Sequence, residues 1–226
     1  MPGLHRVGEV FVLDLGDTEN RLHPDWLREV NQALDRVEST EGPRALVTTA
    51  GGKFWSNGLD LDWIGQHPDQ LNEHVAEVHD LLARMLALPV PTVAALQGHA
   101  FAAGAMLALA HDFRVMRGDR GFFCLPEVDI HIPFTPGMSA LIQAKLSPKA
   151  AHEAMTTGRR YPGPAALQAH IVDATADADK VLDVALELAG PLTGKPPATL
   201  GVIKQRMYPA ALDALRDRTA NAFGPA

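Results

Sequence analysis

Two glycine-bearing stretches of the sequence contain residue types that could bind a negatively charged oxygen. The first runs from Thr49 to Leu61 and the second from Gln97 to Gly104, and each follows an apolar, strand-like segment. Glycine lets a backbone turn approach a ligand closely, and a helix beginning after the second stretch would offer unpaired N–H groups in its first turn. Two such loops side by side could direct two N–H donors at one oxygen, forming an oxyanion hole. Glycines between a strand and a helix also occur in ordinary turns, so both interpretations stay open at this point.

A single glutamate stands in an apolar segment further along the chain. Glu127 lies within Leu125–Ile130, whose sequence is LPEVDI. Apolar surroundings disfavour the charged carboxylate and raise its pKa, which suits a general acid or base that works near neutral pH. A glutamate at a strand end that faces water is the alternative interpretation of the same residues.

Other catalytic and binding chemistries find less support in the sequence. His74 and His79 are five positions apart, whereas paired metal ligands on a helix are typically three or four apart. The phosphate-binding and dinucleotide-binding glycine motifs do not occur, and neither Ser56 nor Ser139 lies in a G-x-S-x-G motif. Cys124 is more typical of a small buried residue than of a nucleophile. We therefore expect no metal site.

The composition excludes several classes of protein. The 226 residues carry a formal net charge of −7 with no basic stripe, so we expect no nucleic-acid partner. Cys124 is the only cysteine, which rules out a disulfide framework. The longest apolar stretch, Ala100–Ala110, is too short to cross a bilayer, and neither end carries a recognisable targeting or lipidation signal. A cytoplasmic protein with no membrane partner is the expectation.

Strands that alternate with helices predict an α/β fold with parallel strand pairing. Strands are expected at Val7–Leu15, Ala45–Thr49, Thr92–Leu96 and Phe113–Met116, and a second long helix at Asp69–Leu88. Pro24 suits the first turn of the first helix. The apolar residues of that helix recur three or four positions apart, as Leu27, Val30, Leu34 and Val37. From about Thr135 onward strand signals nearly vanish and helical segments predominate, which suggests a packing or oligomerisation region.

Three ordered motifs resemble those of one known family. They are F-x-S-x-G-x-D-L at Phe54–Leu61, P-T-V-A-A-L-x-G at Pro91–Gly98 followed by A-A-G, and P-E-V-x-I at Pro126–Ile130. Together they resemble the enoyl-CoA hydratase/isomerase (crotonase) superfamily, and within it the Δ3,Δ2-enoyl-CoA isomerases of the plant peroxisomal type. The similarity covers roughly residues 5–175.

The resemblance implies an architecture and an assembly. The fold would be a crotonase-like spiral of ββα repeats, in which residues 1–175 form the core with the acyl-CoA site. Residues 176–226 would form a helical C-terminal trimerisation region. A homotrimer or a dimer of trimers is therefore the expected assembly.

The resemblance also implies roles for individual residues. The two oxyanion-hole donors fall on the backbone N–H groups of Leu59 and Ala103, and the catalytic acid–base falls on Glu127. The family's hydratases carry a second glutamate at a position that here is Met106, and a methionine cannot activate water. Contacts to the acyl-CoA are implied for Ser56, Asn57, Gly58, Asp60, Leu61, Gly104 and Met106.

A family member with only one of the two glutamates is expected to be an isomerase, and the resemblance therefore implies isomerisation of 3-enoyl-CoA to 2-enoyl-CoA in fatty acid metabolism. Glu127 would move a proton from C2 to C4, and no cofactor is implied, since coenzyme A enters as part of the substrate. One alternative is a hydratase or thioester hydrolase in which another acid, such as Asp129, activates water; another is a non-catalytic acyl-CoA-binding subunit.

Arg21 and Lys53 are candidate phosphate contacts. Candidates to line a dry pocket are Phe101, Met106, Leu125, Ile130 and Phe134.

Overall fold

Nine strands form two sheets in residues 1–223, the part of the chain that the computed structural model describes. They are β1 (Gly3–Val7), β2 (Val10–Asp14), β3 (Ala45–Thr49), β4 (Phe54–Ser56), β5 (Thr92–Leu96), β6 (His99–Phe101), β7 (Phe113–Arg117), β8 (Phe123–Cys124) and β9 (Ala174–Ala176). The larger sheet has the order β1-β2-β3-β5-β7-β9 and the smaller one β4-β6-β8. β1 and β2 pair antiparallel, and all other neighbouring strands pair parallel, as expected of α/β architecture.

Ten α-helices connect and cover these strands in the same described residues. They are α1 (Pro24–Ser39), α2 (Leu61–Gln66), α3 (Leu71–Ala87), α4 (Ala103–Ala110), α5 (Pro136–Lys145), α6 (Pro148–Thr157), α7 (Gly163–Gln168), α8 (Val181–Ala189), α9 (Pro197–Met207) and α10 (Pro209–Arg216). The helix predicted after Pro24 begins at that residue, and its four predicted apolar positions are buried.

The predicted first strand is wrong in its bounds. Residues Val7–Leu15 do not form one strand, because a turn interrupts them and pairs β1 with β2 as a hairpin. Gly8 has a φ of +59°, a conformation that glycine adopts at little cost and that this tight turn requires. β9 lies where the sequence carries few strand signals, because three residues are too short to show a strand's alternation.

The larger sheet has an apolar core on each face, which follows from the period of two along its strands. On one face Val47 and Val93 belong to a cluster that α8 covers. On the other face their neighbours Leu46 and Ala94 belong to a larger cluster with residues of α1, α3 and α4. The central strands must be apolar on both sides as a result, which is typical of parallel sheets.

The predicted boundary between residues 175 and 176 falls inside β9, the last strand of the larger sheet. Because α8 covers that sheet, the two predicted regions share one core. The last three residues of the predicted C-terminal region, 224–226, lie outside the described residues. Among residues 1–223, no helix combines the length and the apolar character needed to cross a bilayer.

Asn20 ties the loop after β2 to the first glycine-bearing stretch. Its side chain is buried, and its Nδ2 lies 3.1 Å from the carbonyl oxygen of Gly16 and 3.2 Å from those of both Phe54 and Trp55. Its own carbonyl oxygen accepts a hydrogen bond of 2.8 Å from the hydroxyl of Ser56. One side chain therefore holds β4, and with it the loop that follows, against the larger sheet.

We expect Asn20→Ala to lower the free energy of unfolding by about 2–4 kcal/mol, because it leaves buried carbonyl groups without donors. Urea unfolding measures the loss. The matched control is Asn31→Ala on α1, whose Nδ2 donates to Leu27 one turn earlier in the same helix and whose Oδ1 accepts from Arg84, a donor that keeps other acceptors after the substitution. Its loss should be closer to about 1 kcal/mol. Equal losses in the two variants would show that Asn20 does not have this connecting role.

Candidate active site

A cavity of about 420 Å³ opens where three segments of chain converge. These segments are the loop between β4 and α2, the junction of β6 with α4, and the turn that follows β8. The cavity is lined by Arg21, Asn57, Leu59, Leu61, Asp62, Phe101, Ala102, Ala103, Cys124, Pro126, Glu127, Ile130, Ile132, Pro133, Met138, Arg160 and Phe223. The two glycine-bearing stretches and the isolated glutamate of the sequence therefore meet at one place.

The two glycine-bearing loops touch each other at Gly58. A Cβ placed on Gly58 would lie 3.0 Å from the Cβ of Ala102, 3.0 Å from the carbonyl oxygen of Phe101 and 3.2 Å from the backbone nitrogen of Ala103. Gly58 also has a φ of +83°, which side chains rarely adopt. Only glycine satisfies both constraints, so the loop carrying Leu59 can lie directly against the start of α4.

Ser56 is buried between the two loops. Its hydroxyl donates to Asn20 and accepts from the N–H of Gly58 at 3.3 Å. A Cβ on Gly104 would lie 2.6 Å from the carbonyl oxygen and from the hydroxyl of Ser56, so α4 begins in direct contact with β4. Ser56, Gly58 and Gly104 thus connect the loops and are not part of the cavity lining.

The N–H groups of Leu59 and Ala103 are free to bind an oxygen. Within residues 1–223 neither donates a hydrogen bond to another group of the protein, and both residues line the cavity. Ala103 is the first residue of α4, where helical N–H groups have no partner within the helix. Ala102 before it has a φ of +50°, a strained conformation for alanine that costs on the order of 1–3 kcal/mol. Its own N–H donates to Cys124 at 3.0 Å, which holds the turn in place.

Glu127 lines the same cavity as Leu59 and Ala103 and is buried, with 5% of its surface exposed. Its Oε2 has no hydrogen-bond partner among the described residues. Burial raises the pKa of this carboxyl from 4.5 to about 7, because the charged form loses its hydration and its own backbone N–H offsets that loss only in part. The alternative of a water-facing glutamate at a strand end is wrong, since the turn after β8 directs this side chain inward. That turn is closed by hydrogen bonds from Asp129 and Ile130 to the carbonyl oxygen of Pro126.

The predicted contact residues separate into two groups. Asn57 and Leu61 line the cavity, as do Phe101 and Ile130. Met106, by contrast, is not among the lining residues, and its side chain is fully buried in the core of the larger cluster. The predicted residues that do not line the cavity are Ser56, Gly58, Asp60, Gly104, Met106, Leu125 and Phe134.

Asp60 has a structural position beside the cavity. Its Oδ1 accepts a hydrogen bond of 3.2 Å from the N–H of Trp63 and so caps α2, as its type and place in the sequence predict. It also lies 3.4 Å from the guanidinium of Arg21. The first loop and the helix after it are therefore fixed by one side chain.

Arg21 at the cavity is already surrounded by carboxylates. Glu19 and Asp62 each lie 2.5 Å from its guanidinium, and these hydrogen bonds raise its pKa further. Lys53 does not line the cavity, and its ammonium lies 5.2 Å from the ring centre of Phe54. Of these two candidate phosphate contacts, the structure brings only Arg21 to the cavity.

The cavity includes residues that the sequence does not single out. Ile132, Pro133 and Met138 come from the segment leading into α5, while Arg160 and Phe223 come from later parts of the chain. Cys124 also lines the cavity, and burial raises the pKa of its thiol to about 11, which disfavours a thiolate. No local pattern marks these residues, because long-range packing alone brings them to the site.

The two histidines considered as metal ligands are core residues. His74 and His79 are both buried, and the Nε2 of His79 lies 3.0 Å from the hydroxyl of Thr135. Burial lowers the pKa of His79 to about 4, so the ring is neutral at physiological pH. Among the described residues no group of three or more potential ligands is arranged to hold a metal ion.

Comparisons with known proteins all match the chain to proteins of one family. The family model described as enoyl-CoA hydratase/isomerase matches residues 8–222. Enoyl-CoA delta isomerase 3 of Arabidopsis thaliana is 38% identical, over 96% of each chain. A second protein of that plant, named enoyl-CoA delta isomerase 2, peroxisomal, is 41% identical over 76% of each chain. Among solved structures, an enoyl-CoA isomerase from Mycobacterium tuberculosis superposes with a TM-score of 0.88 at 27% identity, covering 96% of this chain and 95% of its own.

The raised pKa of Glu127 makes the stability of the protein depend on pH. Below about pH 4.5 the carboxyl is mostly protonated in both the folded and the unfolded state. Between about pH 4.5 and 7 it is mostly ionised in the unfolded state and still mostly protonated in the folded state, so the folded state loses stability as the pH rises over this range. We expect Glu127→Gln to become more stable relative to the wild type by about 2–3 kcal/mol between pH 5 and pH 8. Urea unfolding of both proteins at the two pH values measures this. A difference between them that stays constant with pH would contradict the burial of an ionisable carboxyl at this position.

Proposed function

The chain belongs to the enoyl-CoA hydratase/isomerase family, and from that membership and the geometry of the cavity we propose that it is an enoyl-CoA isomerase. It moves a carbon–carbon double bond from C3 to C2 of an acyl-CoA. The observation that carries the proposal is one buried carboxyl, that of Glu127, whose Oε2 has no hydrogen-bond partner among the described residues and which lines the same cavity as Leu59 and Ala103 with their free N–H groups. The two Arabidopsis relatives named as isomerases support the same activity.

The first step is removal of a proton from C2 of the bound 3-enoyl-CoA. The thioester oxygen lies between the N–H groups of Leu59 and Ala103, and Glu127 accepts the C2 proton. Negative charge then develops on the thioester oxygen, where fixed N–H dipoles stabilise it most. A pKa of about 7 suits Glu127 as the base, because an appreciable fraction is ionised near neutral pH while the proton is still strongly attracted.

The second step returns the same proton to C4. Glu127 protonates C4 of the dienolate as the double bond forms between C2 and C3, so the carboxylate is regenerated and no net proton is exchanged. One carboxylate suffices because both carbons belong to the same substrate. The apolar walls of the cavity help by keeping water, a competing proton donor, away from the dienolate.

Hydration has less support than isomerisation. A hydratase needs a second acid or base to activate water, and the only other carboxylate in the described cavity lining, Asp62, is bound to Arg21. Asp129 is exposed and does not line the cavity. The side chain of Met106, at the position of the hydratases' second glutamate, is buried in the core.

The substrate supplies its own coenzyme A, and we propose no further cofactor. The backbone near Asn57 and Leu61 lies at the cavity and is proposed to contact the coenzyme A portion. Three carboxylates close to Arg21 offset its charge, which makes it a weaker phosphate contact than an unpaired arginine. Fatty acid metabolism follows as the proposed setting from the substrate class.

Assembly and compartment complete the proposal. A homotrimer or a dimer of trimers is proposed from the family resemblance. A group of exposed apolar side chains on α9, where Val202, Ile203 and Met207 are 45%, 48% and 61% exposed, supports self-association of the chain. The cytoplasm is the proposed compartment, and a single unpaired cysteine is compatible with it. One of the Arabidopsis relatives is peroxisomal by name.

We expect Glu127→Gln to lower kcat for 3-enoyl-CoA by about 10²–10⁴-fold, since the amide cannot accept the proton. The assay follows the absorbance of the conjugated 2-enoyl thioester. In the wild type, kcat/KM should rise with pH and level off above about 7, because ionised Glu127 is the active form. Glu77→Gln, on α3 and outside the cavity, is the control and should retain full activity. A wild type that hydrates 2-enoyl-CoA but leaves the 3-enoyl double bond in place would show the isomerase proposal to be wrong.

We expect Gly58→Ala to lower kcat by about 10²–10³-fold, the cost of losing one oxyanion donor, because the new Cβ pushes the two loops apart. The matched control is Gly42→Ala. Gly42 has a nearly identical φ of +85°, but a Cβ there would meet nothing within 4 Å. Both variants should lose stability through backbone strain, and only Gly58→Ala should lose kcat. Equal kcat values for the two variants would show that the close contact between Gly58 and the start of α4 is not needed for catalysis.

A further inference from the structure

The segment after α10 returns to the cavity and places one aromatic side chain in its wall. Phe223 lines the cavity and is held by a two-way hydrogen bond to Asn72 on the first turn of α3. The N–H of Phe223 donates to Oδ1 of Asn72 at 2.9 Å, and Nδ2 of Asn72 donates to the carbonyl oxygen of Phe223 at 3.2 Å. Both backbone groups of Phe223 are therefore satisfied by one amide side chain.

Two further attachments hold the segment that precedes Phe223. Asn221 is buried, accepts from the N–H of Gly137 at 2.8 Å and donates to the carbonyl oxygen of Ala214 at 2.7 Å. Arg218 lies 3.1 Å from carboxylate oxygens of Glu73 and Asp80 on α3. Exposed ion pairs of this kind contribute little free energy, so the buried side chain of Asn221 is the main attachment of the segment, and the hydrogen bonds of Asn72, which are exposed, set the position of residue 223 itself.

Apolar side chains at and before the start of α5 line the same cavity as Phe223. The N–H of Gly137 donates a hydrogen bond to Asn221, so the returning segment lies against the start of α5. The next residue of that helix, Met138, lines the cavity. Ile132 and Pro133 lead into the same helix and continue this wall. The charged lining groups Arg21 and Asp62 are paired with each other on the segments around the first loop. An acyl chain is the apolar part of an acyl-CoA, and burial of its methylene groups favours the apolar wall.

From these contacts we infer that Phe223 is a specificity-determining residue whose ring limits the length of the acyl chain, and that Asn72 is its positioning residue. The inference rests on the proposed isomerase function and adds a substrate class to it: 3-enoyl-CoA esters whose chains end at the Phe223 ring. A rigid wall of this kind excludes longer chains by steric overlap, since close-packed interiors yield little to added methylene groups.

The test measures kcat/KM for 3-hexenoyl-CoA and 3-dodecenoyl-CoA and compares their ratio between variants. We expect Phe223→Ala to raise the ratio of the longer to the shorter substrate by at least about tenfold, the lower end of what one methylene contact contributes in an apolar pocket. Phe223→Trp should lower the ratio. Asn72→Ala should also raise it, because the backbone of residue 223 is then no longer held and the ring, although still present, can move away from the acyl chain.

Leu167→Ala is the matched control, since it also truncates a large apolar side chain. Leu167 is 37% exposed on α7 and lies outside this cavity, so its variant should keep the wild-type ratio. Urea unfolding of each variant verifies that the fold is retained, and Phe223→Trp and Asn72→Ala preserve the test if the alanine variant is unstable.

The outcomes separate the inference from the proposed function. A wild type that isomerises neither substrate overturns the proposed function. A wild type that isomerises at least one of them, together with an unchanged ratio in the Phe223 variants, overturns the inference alone. A uniform loss of activity on both substrates would also overturn it, because a purely structural role of Phe223 would not discriminate between chain lengths.

Discussion

The active site depends on the close approach of two backbone turns at Gly58. Neither turn could bind an oxyanion alone, because each supplies one N–H group at the cavity. Gly58 admits the start of α4 because it has no side chain, and Gly104 admits β4 for the same reason. The hydroxyl of Ser56 and the side chain of Asn20 then fix the first loop to the larger sheet. Preorganised donors cost no reorganisation during a reaction, so rigid packing here favours the proposed role of these amides.

Burial of Glu127 and exposure of the two amides to the same cavity have a common physical basis. A site with little water raises the pKa of the carboxyl and also strengthens the attraction between an oxyanion and N–H dipoles. The same burial is unfavourable for folding, because an ionised Glu127 has no partner for its Oε2. The strained φ of Ala102 adds to this cost, and both features occur where the proposed chemistry takes place. The core clusters on the two faces of the sheet must offset them.

The sequence predicts the fold class and the centre of the site better than it predicts the cavity walls. The crotonase-like α/β fold is confirmed by the family match and by the structural superposition, and the long helices follow from their apolar periodicity. The orientation of Met106 could not be predicted, because all eight residues of α4 are buried and such a helix shows no periodicity. Phe223 and Met138 carry no local signal, since only long-range packing brings them to the cavity. The roles assigned to Glu127, Leu59 and Ala103 stay predictions that the geometry supports.

The position of Met106 explains why a single substitution would not convert this site into one with two carboxylates. Helix α4 lies in the larger core cluster, and the side chain at position 106 is shielded from solvent and is not among the residues that line the cavity. A glutamate placed there would be buried without a partner and would take up a proton before it could activate water. A second working carboxylate requires both the residue and a backbone that rotates it toward the substrate. The limitation to one carboxylate is therefore set by the packing of α4 as well as by the residue type at position 106.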